Sequence, residues 1–316
     1  VVTVSGSGLD SSLTSLSCRF GASASVQASV HSSSEVRCVS PLDVLPTGWS
    51  VVELVSHGSS LRSGGSFYVH FRMWVSSVHP LLGPVVGGTR LGLVGSHFRE
   101  SSTLVCRFEE ASRTVSARYI DSDRVECSSA VSSGAGARSV EVSLNGHQFS
   151  SSGVEYTYVA SASVSSVWPM SAAAEVSTPV TVSGSGFLSV SESLGYLQCR
   201  FNTTAVPALY LSEEALLCNS SAGLSSGSVS VEVSLNGRDF TSDGGQVVLS
   251  DVLVGDVSPW SGPEQGGTVV TVSGSGLDSS LTSLSCRFGA SASVQASVHS
   301  LSLIHISEPT RPRLIS

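Results

Sequence analysis

Leu104-Val-Cys-Arg-Phe108, then Arg124-Val-Glu-Cys127, then Val140-Glu-Val-Ser-Leu-Asn-Gly146 decide the fold of this chain, because the same strings return at one period. Cys-Arg-Phe occurs with its cysteine at Cys18, Cys106, Cys199 and Cys286, at spacings of 88, 93 and 87 residues. A second cysteine follows the first three, at Cys38, Cys127 and Cys218, after 20, 21 and 19 residues. The third string recurs as Val231-Glu-Val-Ser-Leu-Asn-Gly237, with a looser copy at Val52-Glu-Leu-Val-Ser-His-Gly58. Upstream, Val-x-Pro stands at Val78–Pro80, Val167–Pro169 and Val257–Pro259. Four markers in one order define a repeat of about 89 residues, the size of one sandwich domain.

Within the unit the apolar period is two. Leu16, Cys18 and Phe20 fall on one strand face, as do Leu104, Cys106 and Phe108, and Leu197, Cys199 and Phe201. Val36 with Cys38, and Val125 with Cys127, share a face on a second strand. Val, Thr and Ser dominate, and long Leu/Ala/Glu/Lys helical patterns are missing. The expected fold class is all-β, as tandem immunoglobulin-like β-sandwiches. The expected domains are 1–72, lacking its first strand, 73–159, 160–250, and 251–300, cut off before its second cysteine. Ser5–Gly8, Ser183–Gly186 and Ser273–Gly276 read as turns after Val-Thr-Val strands. Asn145–Gly146 and Asn236–Gly237 read as type I′ hairpin turns.

The order Val-x-Pro, Gly-Gly-Thr, Val-Thr-Val-Ser-Gly-Ser-Gly-Leu, Cys-Arg-Phe, Val-x-Cys, Val-Glu-Val-Ser-Leu-Asn-Gly resembles the IPT/TIG domain family (immunoglobulin-like, plexin and transcription-factor domains) over residues 1–300. The resemblance implies E-set type sandwiches. Gly266-Gly267-Thr268 and Gly87-Gly88-Thr89 carry the opening motif; the third copy departs from it with Ala174-Glu-Val-Ser-Thr178.

The paired inward cysteines predict disulfides Cys18–Cys38, Cys106–Cys127 and Cys199–Cys218, with Cys286 unpaired by truncation. The alternative is buried free thiols acting as small hydrophobes. The spacing is too short for the usual bridge between immunoglobulin sheets, so a different geometry is expected. Bridges would place the chain in an oxidising compartment. Zinc is not expected, because no Cys-x-x-Cys exists. Asn202-Thr-Thr204 and Asn219-Ser-Ser221 are N-glycosylation candidates.

Other chemistry is weak. The chain has no lysine and a net charge of −8, with 16 scattered arginines, which excludes the basic stripe of a nucleic-acid binder. The Gly-Ser-Gly runs lack the Gly-Lys-Ser/Thr ending of a phosphate loop, and no Gly-x-Ser-x-Gly elbow is present. The histidines, His70 among them, read as solvated or core side chains. Asp121 and Asp123, in a turn, are too few for calcium. Trp168 and Trp260 beside the Val-x-Pro prolines fit either packing within a domain or packing on the preceding one.

No catalytic, cofactor-binding or metal residue is therefore expected. The leading expectation is a fragment of an extracellular, cell-surface receptor or adhesion-type protein: a binding and spacer array for a protein or glycan ligand. It would meet a membrane only through parts of the parent chain outside this sequence. The alternative is an accessory array of a secreted carbohydrate-active enzyme, which similar domains accompany. A Rel-type transcription factor, whose dimerisation domain shares the fold, is opposed by acidic charge and paired cysteines.

The ends are unusual. Residues 1–32 and 269–300 are identical, from a recent duplication or a wrong joining of repeats. Residues 301–316 leave the pattern and resemble a translated sequencing adapter, an expected non-biological tail.

Overall fold

Alternation turns each Cys-Arg-Phe segment into a strand with one inward face: Leu16–Phe20 reads buried, half-buried, buried, half-buried, buried. The structure, a computed structural model, describes residues 1–9, 15–41, 47–108, 114–174, 177–220, 224–277, 284–300 and 303–307. Nearly all regular structure is β. The first copy supplies β1 (Val2–Ser5), β2 (Leu16–Phe20), β3 (Val26–Ser32), β4 (Glu35–Cys38), β5 (Gly48–Ser56) and β6 (Ser59–Val69). The second supplies β7 (Trp74–His79), β8 (Leu82–Pro84), β9 (Arg90–Ser96), β10 (Val105–Phe108), β11 (Thr114–Asp121), β12 (Arg124–Ser128), β13 (Gly136–Ser143) and β14 (Glu155–Val159). The third supplies β15 (Ser163–Trp168), β16 (Ser171–Ala173), β17 (Pro179–Ser185), α1 (Ser189–Ser193), β18 (Gln198–Phe201), β19 (Thr204–Ser212), β20 (Ala215–Asn219), β21 (Gly227–Ser234) and β22 (Gly245–Ser250). The fourth supplies β23 (Leu253–Ser258), β24 (Val269–Ser275), β25 (Ser285–Cys286), β26 (Val294–Gln295), β27 (Ser297–Ser300) and β28 (Leu303–Ser307). By contacts the chain forms two compact units, Val1–Trp74 with Gly95–Arg99, and Val75–Val94 with Glu100–Ser316.

One strand in each complete copy makes the sandwich. In the second copy the ladder runs β7-β9-β12-β11-β10-β13-β14-β8. Thr114–Ser116 of β11 pair with β10, whereas Ala117–Asp121 pair with β12. The ladder folds between Ser116 and Ala117, and the inward faces of β10 and β12 meet. Cys106 and Cys127 lie 6.4 Å apart at Cα. Two strands flanking a third in an open sheet would be about 9.5 Å apart. The third copy repeats this: β19 pairs with β18 through Thr204–Pro207 and with β20 from Ala208, and Pro207 sits at the fold. The first copy folds between Gln27 and Ala28 of β3. The disulfides thus do cross between sheets. They reach across only about 20 residues because the intervening strand changes sheet, not by the long connection of an antibody domain.

The core fills from both faces. In the second copy Phe108 meets Tyr156 and Tyr158 edge-on, at ring centroids 6.0 and 6.1 Å apart. In the third copy Val180, Val182, Phe201, Leu216, Val231 and Val247 are buried in one cluster. In the fourth copy β24 pairs with β28, and Val270 stands opposite Ile306, as Val2 stands opposite Cys38 in the first. Cys286 is consequently a free thiol. Residues 301–302 and 308–316 lie outside the described residues.

Two turn readings change. The Val-Thr-Val strand of the third copy continues through Ser183, Gly184 and Ser185, and the turn waits for Gly186 at φ 75°. Gly184 stays in the strand because a Cβ there would overlap the Ser163 carbonyl on β15 and the Phe187 ring. The Asn-Gly pairs are not two-residue hairpins either: β13 ends at Ser143 and β14 begins at Glu155. Only Gly146 and Gly237 are left-handed there, with φ 71° and 70°. The Asn145 carboxamide accepts the N–H groups of His147 and Gln148, both at 3.0 Å, and this side-chain turn competes with a tight hairpin. The tight hairpin occurs in the first copy, where asparagine is missing. There His57 (φ 50°) and Gly58 (φ 78°) are both left-handed and Ser56 pairs with Ser59, as a type I′ turn requires.

Candidate functional site

The second and third copies meet through residues that the repeat markers place at one end of each sandwich. Leu82 of β8 is buried in the core of the third copy. Its carbonyl accepts a hydrogen bond from Asn236 Nδ2 at 3.2 Å. The same Nδ2 donates to Asp239 Oδ2 at 2.8 Å, and Thr89 Oγ1 donates to that oxygen at 2.5 Å. Thr89 and Asn236 are both buried. Asn236 Oδ1 in turn accepts from the N–H groups of Arg238 and Asp239, at 3.0 and 2.9 Å, which aims the Asp239 carboxylate at Thr89. His79 Nδ1 and the Tyr196 hydroxyl approach to 3.3 Å.

Glycines shape this joint. A Cβ on Gly83 would overlap the Tyr156 hydroxyl and Thr89 Oγ1. Gly87, at φ 72°, would strike the Ala130 carbonyl, and Gly88 is left-handed at φ 88°. The Tyr156 hydroxyl is buried without a hydrogen-bond partner of good geometry among the described residues. Burial pushes this phenol above its ordinary value, and the nearby Thr89 and Ser129 hydroxyls oppose that. Tyr158 is raised too, again chiefly by burial, and its hydroxyl donates to the Ala130 carbonyl at 2.8 Å.

Beside the joint lies a cleft of about 490 Å³, with Pro84, Val86 and Val159 on one wall and Leu235, Phe240 and Asp243 on the other. Asp239 reaches its edge, and its lining includes no basic residue. The lining is largely apolar, and Asp239 and Asp243 are its charged residues.

The structure brings together Cys18 with Cys38, Cys106 with Cys127, and Cys199 with Cys218 as disulfides, with Cα separations of 6.3, 6.4 and 6.3 Å. Asn202 is exposed in the left-handed turn between β18 and β19, and its carboxamide oxygen accepts from Ser230 N at 3.0 Å. Asn219 is exposed at the end of β20, opposite Pro179. Ser220 is buried with its Oγ accepting from Thr178 N, and Ser221 lies outside the described residues. Asp121 pairs with Arg124, whose hydrogen bond holds the carboxyl below the ordinary carboxylate range. Among the described residues no group of three or more His, Cys, Asp or Glu side chains could hold a metal. Trp168 and Trp260 are not core side chains, since they are 59% and 91% exposed. The Thr89–Asp239 contact was not legible from sequence. The one signal was that Asp239 stands where the second copy has Gln148.

A profile of the IPT/TIG domain matches residues 74–158, 162–248 and 253–308. The chain belongs to the IPT/TIG domain family. Three successive IPT/TIG domains thus follow one another from residue 74, and the first copy repeats their markers. No curated protein matches the chain. Among solved structures it resembles the full extracellular region of plexin A4, at 16% identity and a TM-score of 0.41, covering 99% of this chain and 33% of that one. It also resembles SGBP-B of the Bacteroides ovatus mixed-linkage glucan utilization locus, solved with a mixed-linkage heptasaccharide (15%, TM-score 0.22, covering 78% and 62%). A third is FdeC, an Escherichia coli adhesin (14%, TM-score 0.24, covering 77% and 91%). The chain spans about a third of the plexin A4 structure it matches.

Proposed function

We propose that this IPT/TIG array is a non-catalytic binding and spacer segment of an extracellular or cell-surface protein of the receptor or adhesion type. The observation that carries it is the same disulfide in each of three consecutive copies, joining strands of opposite sheets. Disulfides at equivalent buried positions are formed and kept in oxidising compartments. Six of the seven cysteines are used this way. The array offers reach and repeated surfaces, and its ligand is a protein or a glycan, not a nucleic acid, since the chain carries a net charge of −8 without lysine. Asn202 and Asn219, both exposed in the same copy, are the positions proposed to carry N-glycans.

The test is peptide mapping without reductant on the chain made through a secretory pathway. The reading expects the three pairs intact and glycan on Asn202. Free thiols at all six positions in correctly folded protein would sink it and return the array to a reducing compartment.

A further inference from the structure

We infer that the Asn236–Asp239 turn is a docking site for the Gly-Gly-Thr turn of the preceding copy, that Asp239 decides the pairing, and that the second and third copies consequently move as one body. Contacts between neighbouring domains are by default mobile. Three features make this one different.

The first is an apolar plug. Leu82, though part of the second copy, is buried in the core of the third, with Val159 at the end of β14 and Ala162 of the connection packed against the same cluster. The second is a charge-assisted bond in a partly buried setting. Asp239 Oδ2 takes one donor from its own turn and one from Thr89 of the other copy. Hydrogen bonds to an ionised acceptor are about twice as strong as neutral ones. The third is shape. Thr89 follows the left-handed Gly87 and Gly88, and Gly83 has no side chain to strike Thr89 and Tyr156 of its own copy or to crowd Asn236 Nδ2 of the third.

The other copies show what is specific here. The second copy has the same side-chain turn, but Asn145 donates to neutral Gln148 where Asn236 donates to Asp239. The third copy keeps Thr178 at the position of Thr89 but lacks the two glycines. The complete set, Gly-Gly-Thr in one copy and Asn-Gly-x-Asp in the next, occurs at this joint. The inference does not depend on what the array binds.

Residual dipolar couplings on the full chain test it. In the parent chain the strands of residues 75–159 and 160–250 should fit one alignment tensor. Asp239→Ala and Thr89→Val, the latter keeping the side-chain volume, should each split the fit into two tensors, with each copy still fitting well internally. The double variant should be no worse than either single one, and Thr89→Ser, which keeps the hydroxyl, should restore a single tensor. A single tensor surviving in both Asp239→Ala and Thr89→Val overturns the inference, as do two tensors in the parent chain. Should Asp239→Ala lose its internal fit through unfolding, Thr89→Val and Thr89→Ser decide alone.

Discussion

Cys18, Cys106 and Cys199 of the Cys-Arg-Phe strings each do two jobs, as a buried core side chain and as half of a crosslink. Closing a loop of roughly 20 residues stabilises a domain by about 3 kcal/mol. Replacing Cys106 and Cys127 together by alanine should therefore lower the stability of the second copy by about that amount, read as a shift in its urea midpoint. Charge acts more weakly at this scale. Arg124 holds the Asp121 carboxyl below its ordinary value, and Arg90, donating to Glu126, does the same there. Since both folded values are depressed, any stability they add is present above the unfolded value. It is lost as pH falls through the folded one. A carboxyl-carbon NMR titration should place Asp121 below a reference aspartate, and Arg124→Ala should move it back up.

At the scale of elements, glycine positions separate strand from turn. Gly95, Gly184 and Gly274 occupy equivalent places, each where a Cβ would overlap a carbonyl of the neighbouring strand, at Trp74, Ser163 and Leu253. Gly184→Ala should cost about 1–3 kcal/mol through forced separation of β15 and β17, measured as a lower denaturation midpoint. A serine-glycine run reads as a turn in composition, yet strand pairing overrides it here because close approach demands glycine more than a turn does. The loop after β13 or β21 shows a second override. Arg107 lies 3.8 Å over Phe149, and Arg200 4.2 Å over Phe240, so the residues after Asn-Gly fold back on the Cys-Arg-Phe strand. The Ser150 hydroxyl bonds Glu141, and Thr241 Oγ1 donates to Glu232 at 2.6 Å. In the first copy, Arg19 instead pairs directly with Glu53, and the chain turns tightly at His57–Gly58.

At the scale of the molecule, seven cysteines make three bridges and leave Cys286. Denatured, unreduced chain should titrate one thiol, and mapping should place it at Cys286. In the folded chain burial raises this thiol, so it should react more slowly than an exposed cysteine at neutral pH. More than one thiol in the denatured chain would mean that a copy is not crosslinked.

The sequence by itself determined the repeat, the all-β class and which cysteines share an inward face, because these follow from a period of two and a period near 89 that every copy obeys. It did not show that the bridges cross between sheets. That depends on one strand changing sheet between Ser116 and Ala117, or after Pro207, a bend that leaves no mark on the apolar pattern. Nor did it show the joint. Thr89 and Asp239 are 150 residues apart, and each looks like an ordinary turn residue in its own copy. The two turns come within hydrogen-bonding distance where Leu82 packs into the third core, so the contact needs both sandwiches folded.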